Sequence, residues 1–240
     1  MARFFVEKES IEGGFITVSG NELIHISRVL RMKPNDRLTL CDGEKNDYKC
    51  EIVSISKNEA VCKILSRSQN TCEQDFSVTL FQSVPKSEKM DFIIQKSVEL
   101  GVTEIRPFFS ARTVAKSKGK TERWNKIALE AAKQCGRGIV PKVFEPADFS
   151  EALAGDTAEL KIFAYEEEKD TFLKSVLRCA KGVGSISVYV GPEGGFEKTE
   201  VAEAEKAGCR VVTLGNRILR AETAPLTLLS DIMYEFLSGC

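Results

Sequence analysis

Two glycine-punctuated turns near the C-terminal end carry the residue types from which a ligand site can be built. The first, Gly191-Pro192-Glu193-Gly194-Gly195-Phe196, follows the apolar run Ser185 to Val190 and precedes a helical pattern from Glu197 to Ala207. Its glycines let a ligand lie against bare backbone. The second, Leu214-Gly215-Asn216-Arg217-Ile218-Leu219-Arg220-Ala221-Glu222-Thr223-Ala224, follows Cys209 to Thr213 and runs into an apolar final helix. Neither turn has the Gly-Lys-Ser/Thr of a Walker loop or the GxGxxG of a dinucleotide fold, which disfavours a nucleoside triphosphate. Serine hydrolysis and metal chemistry need histidine or clustered ligands, and the one histidine, His25, lies far from both turns. A lone histidine on a helix is a packing or surface residue, or else a substrate contact. The eight cysteines form no CxxC pair. They read as reduced, mostly buried thiols of a cytoplasmic protein, and no metal is expected.

The elements that must position these turns fall into two groups. Residues 1 to 72 are strand-rich, with strands at Arg3 to Val6, Phe15 to Val18, Arg37 to Cys41, Tyr48 to Ser56 and Ala60 to Ser66, a pattern that predicts a small barrel. One helix, Asn21 to Leu30, interrupts them, with Leu23, Ile26, Val29 and Leu30 at helical spacing. Ser66 to Asp75 is polar and aperiodic and reads as the linker. Beyond it strands and helices alternate: strand Phe76 to Val84, helix Lys89 to Leu100, strand Glu104 to Phe109, helix Thr121 to Cys135, then strands near Lys142 and at Leu160 to Tyr165. That rhythm predicts a mostly parallel sheet covered on both faces, with both turns at its carboxyl edge, where ligands bind. No apolar run reaches membrane-spanning length, so no membrane partner is expected.

Charge adds a partner class. The totals of 34 Lys+Arg and 35 Asp+Glu balance, but Arg112 to Lys142 holds nine basic against two acidic residues. Such a segment suits RNA or DNA, or is a solvated helix face. Arg28, Arg31 and Lys33 cluster in the front half, and Arg112, Lys116, Lys118 and Lys120 in the basic segment. These seven are placed as phosphate contacts.

The two turns resemble the signature pair of the bacterial 16S ribosomal RNA uridine-N3 methyltransferase family, a branch of the SPOUT methyltransferases. Gln95 to Val102, Glu130 to Arg137 and His25 to Arg31 resemble the family's other blocks in the same order, so the likeness spans essentially the whole chain. Cys135 and Pro225 stand where small or variable residues are expected.

The resemblance implies an α/β protein: a PUA-like RNA-binding β-barrel over 1–72 and a SPOUT domain over 73–240, with a trefoil knot at about 188–240. It implies S-adenosyl-L-methionine held by Ala164, Tyr165 and Glu166, by Gly191, Pro192, Glu193, Gly194 and Gly195, and by Leu214, Gly215, Ile218, Leu219 and Thr223. Adenine would be read by backbone groups of Leu214, Gly215 and Ile218. It further implies a homodimer, to which the apolar residues around most of the last helix, Leu226 to Leu237, are suited. The substrate would be 16S ribosomal RNA or the small subunit, contacted also by His25 and Arg137, which lie in matching blocks. Uridine N3 carries a proton at neutral pH, so its anion needs stabilising or its proton a base. Arg220 and Glu222 are the candidates, with a structural ion pair at the start of the last helix as the other reading of both. Methylation of a ribose 2′-hydroxyl or a tRNA base, or a non-catalytic role in ribosome assembly, are the alternatives.

Overall fold

The structure, a computed structural model, describes residues 2–86, 89–114 and 119–237. The chain divides into two compact units, Met1–Glu73 with Ala132–Val140, and Gln74–Ala131 with Pro141–Cys240.

In the first unit the strands are β1 (Arg3–Phe5), β2 (Ile11–Glu12), β3 (Phe15–Val18), β4 (Arg37–Cys41), β5 (Asn46–Ile55) and β6 (Ala60–Gln69). They form one mixed sheet in the order β1-β4-β5-β6-β3-β2. β1 runs parallel to β4, and the remaining pairs are antiparallel. Alternation buries Ile16, Val18, Leu38, Leu40, Cys50, Ile52 and Cys62 in one core with Phe4, Leu23 and Ile26. The strand pattern predicts a small barrel; among the described residues the hydrogen-bonded path is open, ending at β1 and β2. Both end strands are short, which limits the unpaired edge.

A second difference lies in the helix expected at Asn21 to Leu30. α1 covers Gly20–Ile24 and passes into a π-helical turn over His25–Val29, where Leu30 N–H donates to the His25 carbonyl at 2.9 Å. The wider turn carries Val29 and Leu30 off the core face, leaving them 64% and 45% exposed. A third lies in the expected linker. Ser66 to Gln69 extend β6 against β5, and Asn70 Nδ2 donates to Asp47 Oδ2 (3.1 Å) and to the Gly136 carbonyl (3.0 Å). Glu73 accepts from Arg137 Nη2 (2.7 Å) and from the backbone of Gly138 (2.9 Å) and Ile139 (3.2 Å). Within this mostly exposed stretch, the polar side chains of Asn70 and Glu73 are taken up by partners in the fold.

The second unit begins with β7 (Ser77–Ser83), α2 (Lys89–Glu99) and β8 (Glu104–Phe109). α3 (Thr121–Cys135), β9 (Lys142–Val143), β10 (Ala147–Asp148) and α4 (Phe149–Ala154) follow. β11 (Leu160–Ala164), α5 (Leu173–Cys179), β12 (Ser185–Val190), α6 (Lys198–Lys206), β13 (Arg210–Val212) and α7 (Ala224–Phe236) complete it. The sheet order is β10-β8-β7-β12-β11-β13, with β9 also on β8, and every pairing is parallel. β12 has five consecutive buried residues, as expected for a strand covered on both faces. An aromatic core packs beneath its carboxyl end: Phe81 stacks on Tyr189 at 4.4 Å between ring centroids, and Phe163 meets Phe196 at 4.2 Å.

Candidate functional site

The two glycine turns open at the carboxyl ends of β12 and β13, the strands on either side of β11, and the packing beneath them explains their composition. Phe196 is buried in the aromatic core and anchors the first turn from below. Its ring fills the space beside Gly191, where a Cβ would come within 3.0 Å of Phe196 Cε2. Gly195 sits at φ +67° and its N–H donates to the Pro192 carbonyl at 3.0 Å, closing the turn. A Cβ on Gly195 would overlap the Glu166 carboxylate, so the loop after β11 lies directly against the loop after β12. In the second turn Gly215 takes φ +110°, and its N–H donates to Thr213 Oγ1 at 3.2 Å.

These loops and the start of α2 surround a cavity of about 610 Å³. Ala164, Tyr165 and Glu166 line one wall, Gly191, Pro192, Glu193 and Gly195 a second, and Leu214, Gly215, Ile218, Leu219 and Arg220 a third. Gly194 and Thr223 are outside that lining: Gly194 accepts a hydrogen bond from Arg112 Nη1 at 2.8 Å, and Thr223 is the N-cap of α7. The volume falls in the range of small-molecule sites. Ile218 leaves 83% of its surface open on the wall, an apolar side chain placed for a ligand's flat face.

Lys89 is a charged lining residue that the spacing did not reveal. Its Nζ lies 3.1 Å from Glu193 Oε1 and 3.0 Å from Glu222 Oε2, joining the first turn to the second. The signal available was position alone: Lys89 opens the helix that follows β7, at the same sheet edge as both turns. Arg220 and Glu222 approach only to 4.0 Å, so the main partner of Glu222 is Lys89. Burial pushes the Glu193 and Glu222 carboxyls up, but hydrogen bonds from Lys89 and from backbone N–H groups outweigh it and hold both below the ordinary glutamate value. The same two carboxylates raise the Lys89 ammonium. Burial, then a hydrogen bond to Glu167, pushes the Tyr165 hydroxyl up, so it remains a donor at neutral pH. Glu200 steadies the floor by accepting from Ala111 N–H at 2.8 Å and Glu197 N–H at 2.9 Å.

The predicted nucleic-acid residues separate into kinds. Arg28, Arg31, Lys33 and Lys120 are exposed. His25 is half-buried and meets the Phe4 ring edge-on at 5.5 Å. Lys116 and Lys118 lie outside the described residues. Arg112 is half-exposed and braces Gly194. Arg137 departs from the expectation of an exposed cation: its side chain is 5% exposed and ion-paired with Glu73, itself 2% exposed, so the guanidinium is turned inward. Among the described residues no group of acidic, histidine and cysteine side chains could hold a metal ion, and no helix is long and apolar enough to cross a membrane.

Comparison with known proteins agrees with this arrangement. A family profile described as an RNA methyltransferase domain matches residues 72–233, and one described as an RNA methyltransferase PUA domain matches residues 18–65. Ribosomal RNA small subunit methyltransferase E of Bacillus subtilis (strain 168) is 36% identical over 249 residues, covering 98% of this chain and 97% of that protein. The crystal structure of the enzyme of the same name from Neisseria gonorrhoeae, bound to S-adenosyl methionine, superposes with a TM-score of 0.89 at 34% identity, over 98% of this chain and 97% of that one. A methyltransferase structure from Legionella pneumophila with its bound cofactor superposes with a TM-score of 0.86 at 28% identity, covering 97% of each chain.

Proposed function

The chain belongs to the RNA methyltransferase family that includes Ribosomal RNA small subunit methyltransferase E, and from that premise we propose that it methylates N3 of a specific uridine in 16S ribosomal RNA, using S-adenosylmethionine. The observation that carries this reading is the cavity of about 610 Å³ bounded by the three loops at the carboxyl edge of β11, β12 and β13.

The residues fit that cofactor. Leu214, Ile218 and Leu219 offer apolar surface for adenine, the bare backbone at Gly191 and Gly215 allows close approach, and Glu166 and Glu168 suit a positively charged ligand. Ala164, Tyr165, Pro192, Glu193 and Gly195 complete its walls. Gly194 and Thr223 act behind the wall, shaping the turn and starting α7. S-adenosylmethionine supplies, when bound, a methyl group on a positively charged sulfur that needs no further activation. What the protein must add is alignment of N3 with that methyl and relief of the N3 proton. Arg220, exposed at the cavity rim, stabilises the negative charge that develops as the proton leaves to solvent. Glu222, held as a carboxylate by Lys89, is a weak proton acceptor and serves to orient the rim. Arg28, Arg31, Lys33 and Lys120, with Lys116 and Lys118, dock phosphates, and His25 supports the π-helical turn on which Arg28 stands.

The domain division proposed is a PUA-like RNA-binding unit over about 1–72 and a methyltransferase unit over about 73–240. Support for a trefoil knot in the C-terminal chain comes from its course: β13 lies outside β11, yet α7 returns to pack on β12, α2 and α5. Support for a homodimer comes from α7 and the residue after it, where Tyr234 is 88% and Leu237 52% exposed. The proposed substrate class supports a cytoplasmic location.

The test is nucleoside mass spectrometry of 16S ribosomal RNA and of small subunits incubated with the protein and a labelled methyl donor. Label on N3 of one uridine is the expected result. Label on a ribose hydroxyl or another base, or no transfer despite bound cofactor, would overturn the reading.

A further inference from the structure

Lys89 faces two carboxylates that belong to different loops, and those carboxylates are not equally provided for. Glu193 also receives the Lys86 N–H, at 3.2 and 3.3 Å from its two oxygens. Glu222 has its own backbone N–H, Lys89 at 3.0 Å from Oε2, and Arg220, whose Nη1 stands 4.0 Å from Oε1. The Glu222 side chain is 19% exposed, while that of Arg220 is 82% exposed and lines the cavity. A partly desolvated carboxylate takes the nearest cation, and a guanidinium two residues away can pair with it through two hydrogen bonds at once. Lys89 competes for the charge of that carboxylate from Oε2, while Arg220 faces Oε1.

We propose that Lys89 is a positioning residue: by pairing with Glu222 it keeps the Arg220 guanidinium from closing its 4.0 Å approach to that carboxylate into a tight ion pair, and leaves it available to the acceptor base in the cavity that Lys89 and Arg220 line. The inference rests on the reading of Arg220 as the group that faces the acceptor. It adds a distinct requirement, that the cation nearest Glu222 be a different one. It also explains why Lys89 bridges the two loops: one ammonium fixes Glu193 in the first turn and Glu222 in the second, so the first-turn wall and the Arg220 rim keep a set separation.

The test uses the full chain with Lys89→Met, Lys89→Gln, Lys89→Arg and the double variant Lys89→Met/Glu222→Gln. Two measurements are made: nitrogen relaxation of the Arg220 Nε–H group, assigned through Arg220→Lys, and the single-turnover rate at saturating RNA and methyl donor. Lys89→Met and Lys89→Gln should each order the Arg220 guanidinium and lower the rate on the order of tenfold, less than the roughly 10²-fold expected for deleting a charge-stabilising donor outright. Lys89→Arg should preserve both wild-type values. The double variant should return Arg220 to its wild-type mobility and recover rate relative to Lys89→Met, a rescue that a loop clamp would not show. The inference is overturned if Arg220 relaxation is unchanged in both neutral variants, or if the double variant is no faster than the single. The relaxation measurement needs no RNA, so a methyl group found on a different atom would sink the proposed function and leave this result to stand or fall by itself.

Discussion

The guanidinium of Arg112 donates to the carbonyl of Gly194 at 2.8 Å, and its stem occupies the space beside Gly194, where a Cβ would lie 3.2 Å from Arg112 Cβ. The residue that opens the basic segment is therefore a brace on the first glycine turn. Arg112→Ala should loosen that turn and weaken S-adenosylmethionine binding by about 1 kcal/mol, roughly fivefold, the value of one partly exposed hydrogen bond. Calorimetry on the isolated protein measures this without RNA. An unchanged cofactor affinity would assign Arg112 to phosphate contacts alone.

Glu73 and Arg137 form a pair with both side chains almost wholly buried, and Glu73 also accepts two backbone N–H groups. Removing one partner leaves the other charge without compensation, which costs about 3–5 kcal/mol. Arg137→Ala and Glu73→Ala should each lower the thermal midpoint sharply, while a conservative swap of the surface residue Lys120 should not. RNA affinity measured on folded Arg137→Ala should stay at the wild-type value. A stable variant with weakened RNA binding would return Arg137 to the interface.

That pair marks a limit of what the amino-acid sequence discloses. Regular elements were legible because their signals are local: the spans predicted for α3, β8 and β12 coincide with those observed, α3 from its helical period, β12 from its apolar run and β8 from its apolar and aromatic residues between turn signals. Ala147–Asp148 pairs as a strand of two residues, too short to carry any alternation. The π-helical turn after α1 was hidden because Leu23, Ile26, Val29 and Leu30 satisfy helical spacing while only the first two reach the core. Charge counts cannot separate a solvated arginine from a paired one, so Arg28 and Arg137 look alike in the chain and differ completely in the fold. Both glycine turns, which border the cavity, were readable as turns from their residue types. Lys89 was not, because its partners come from distant segments that only the parallel sheet brings to one edge.

The Lys89, Glu193 and Glu222 group also sets a pH window. The two carboxyls are held below the ordinary value of 4.5, so their contribution is complete above that value and is lost as pH falls through the lowered folded values. The ammonium is raised above 10.5, so its contribution is complete below that value and is lost as pH rises through the raised one. The stability difference between wild type and Lys89→Met should be flat between these limits and shrink at both ends. Denaturant unfolding at a series of pH values checks this. A difference that changes steadily between pH about 5 and 10 would mean that another titrating group governs the site.

RNA docking and chemistry should separate by salt dependence and saturation. Arg28, Arg31, Lys33 and Lys120 are exposed cations, and a phosphate contact acts through counterion release. Each one replaced by alanine should weaken RNA binding and reduce its salt slope by about 0.7 to 1, with the saturated rate nearly unchanged. Arg220→Ala should do the reverse. If Arg220 stabilises the N3 anion, its loss lowers the single-turnover rate at saturating RNA and methyl donor by about 10²-fold while RNA affinity and salt slope hold. Its side chain is 82% exposed and stands 4.0 Å from Glu222, so it contributes little to the fold through that contact. The variant should therefore unfold at the wild-type temperature and bind S-adenosylmethionine with near wild-type affinity. If cofactor binding falls as steeply as the rate, Arg220 shapes the cofactor wall instead, and the charge facing the uridine must come from another residue on the rim.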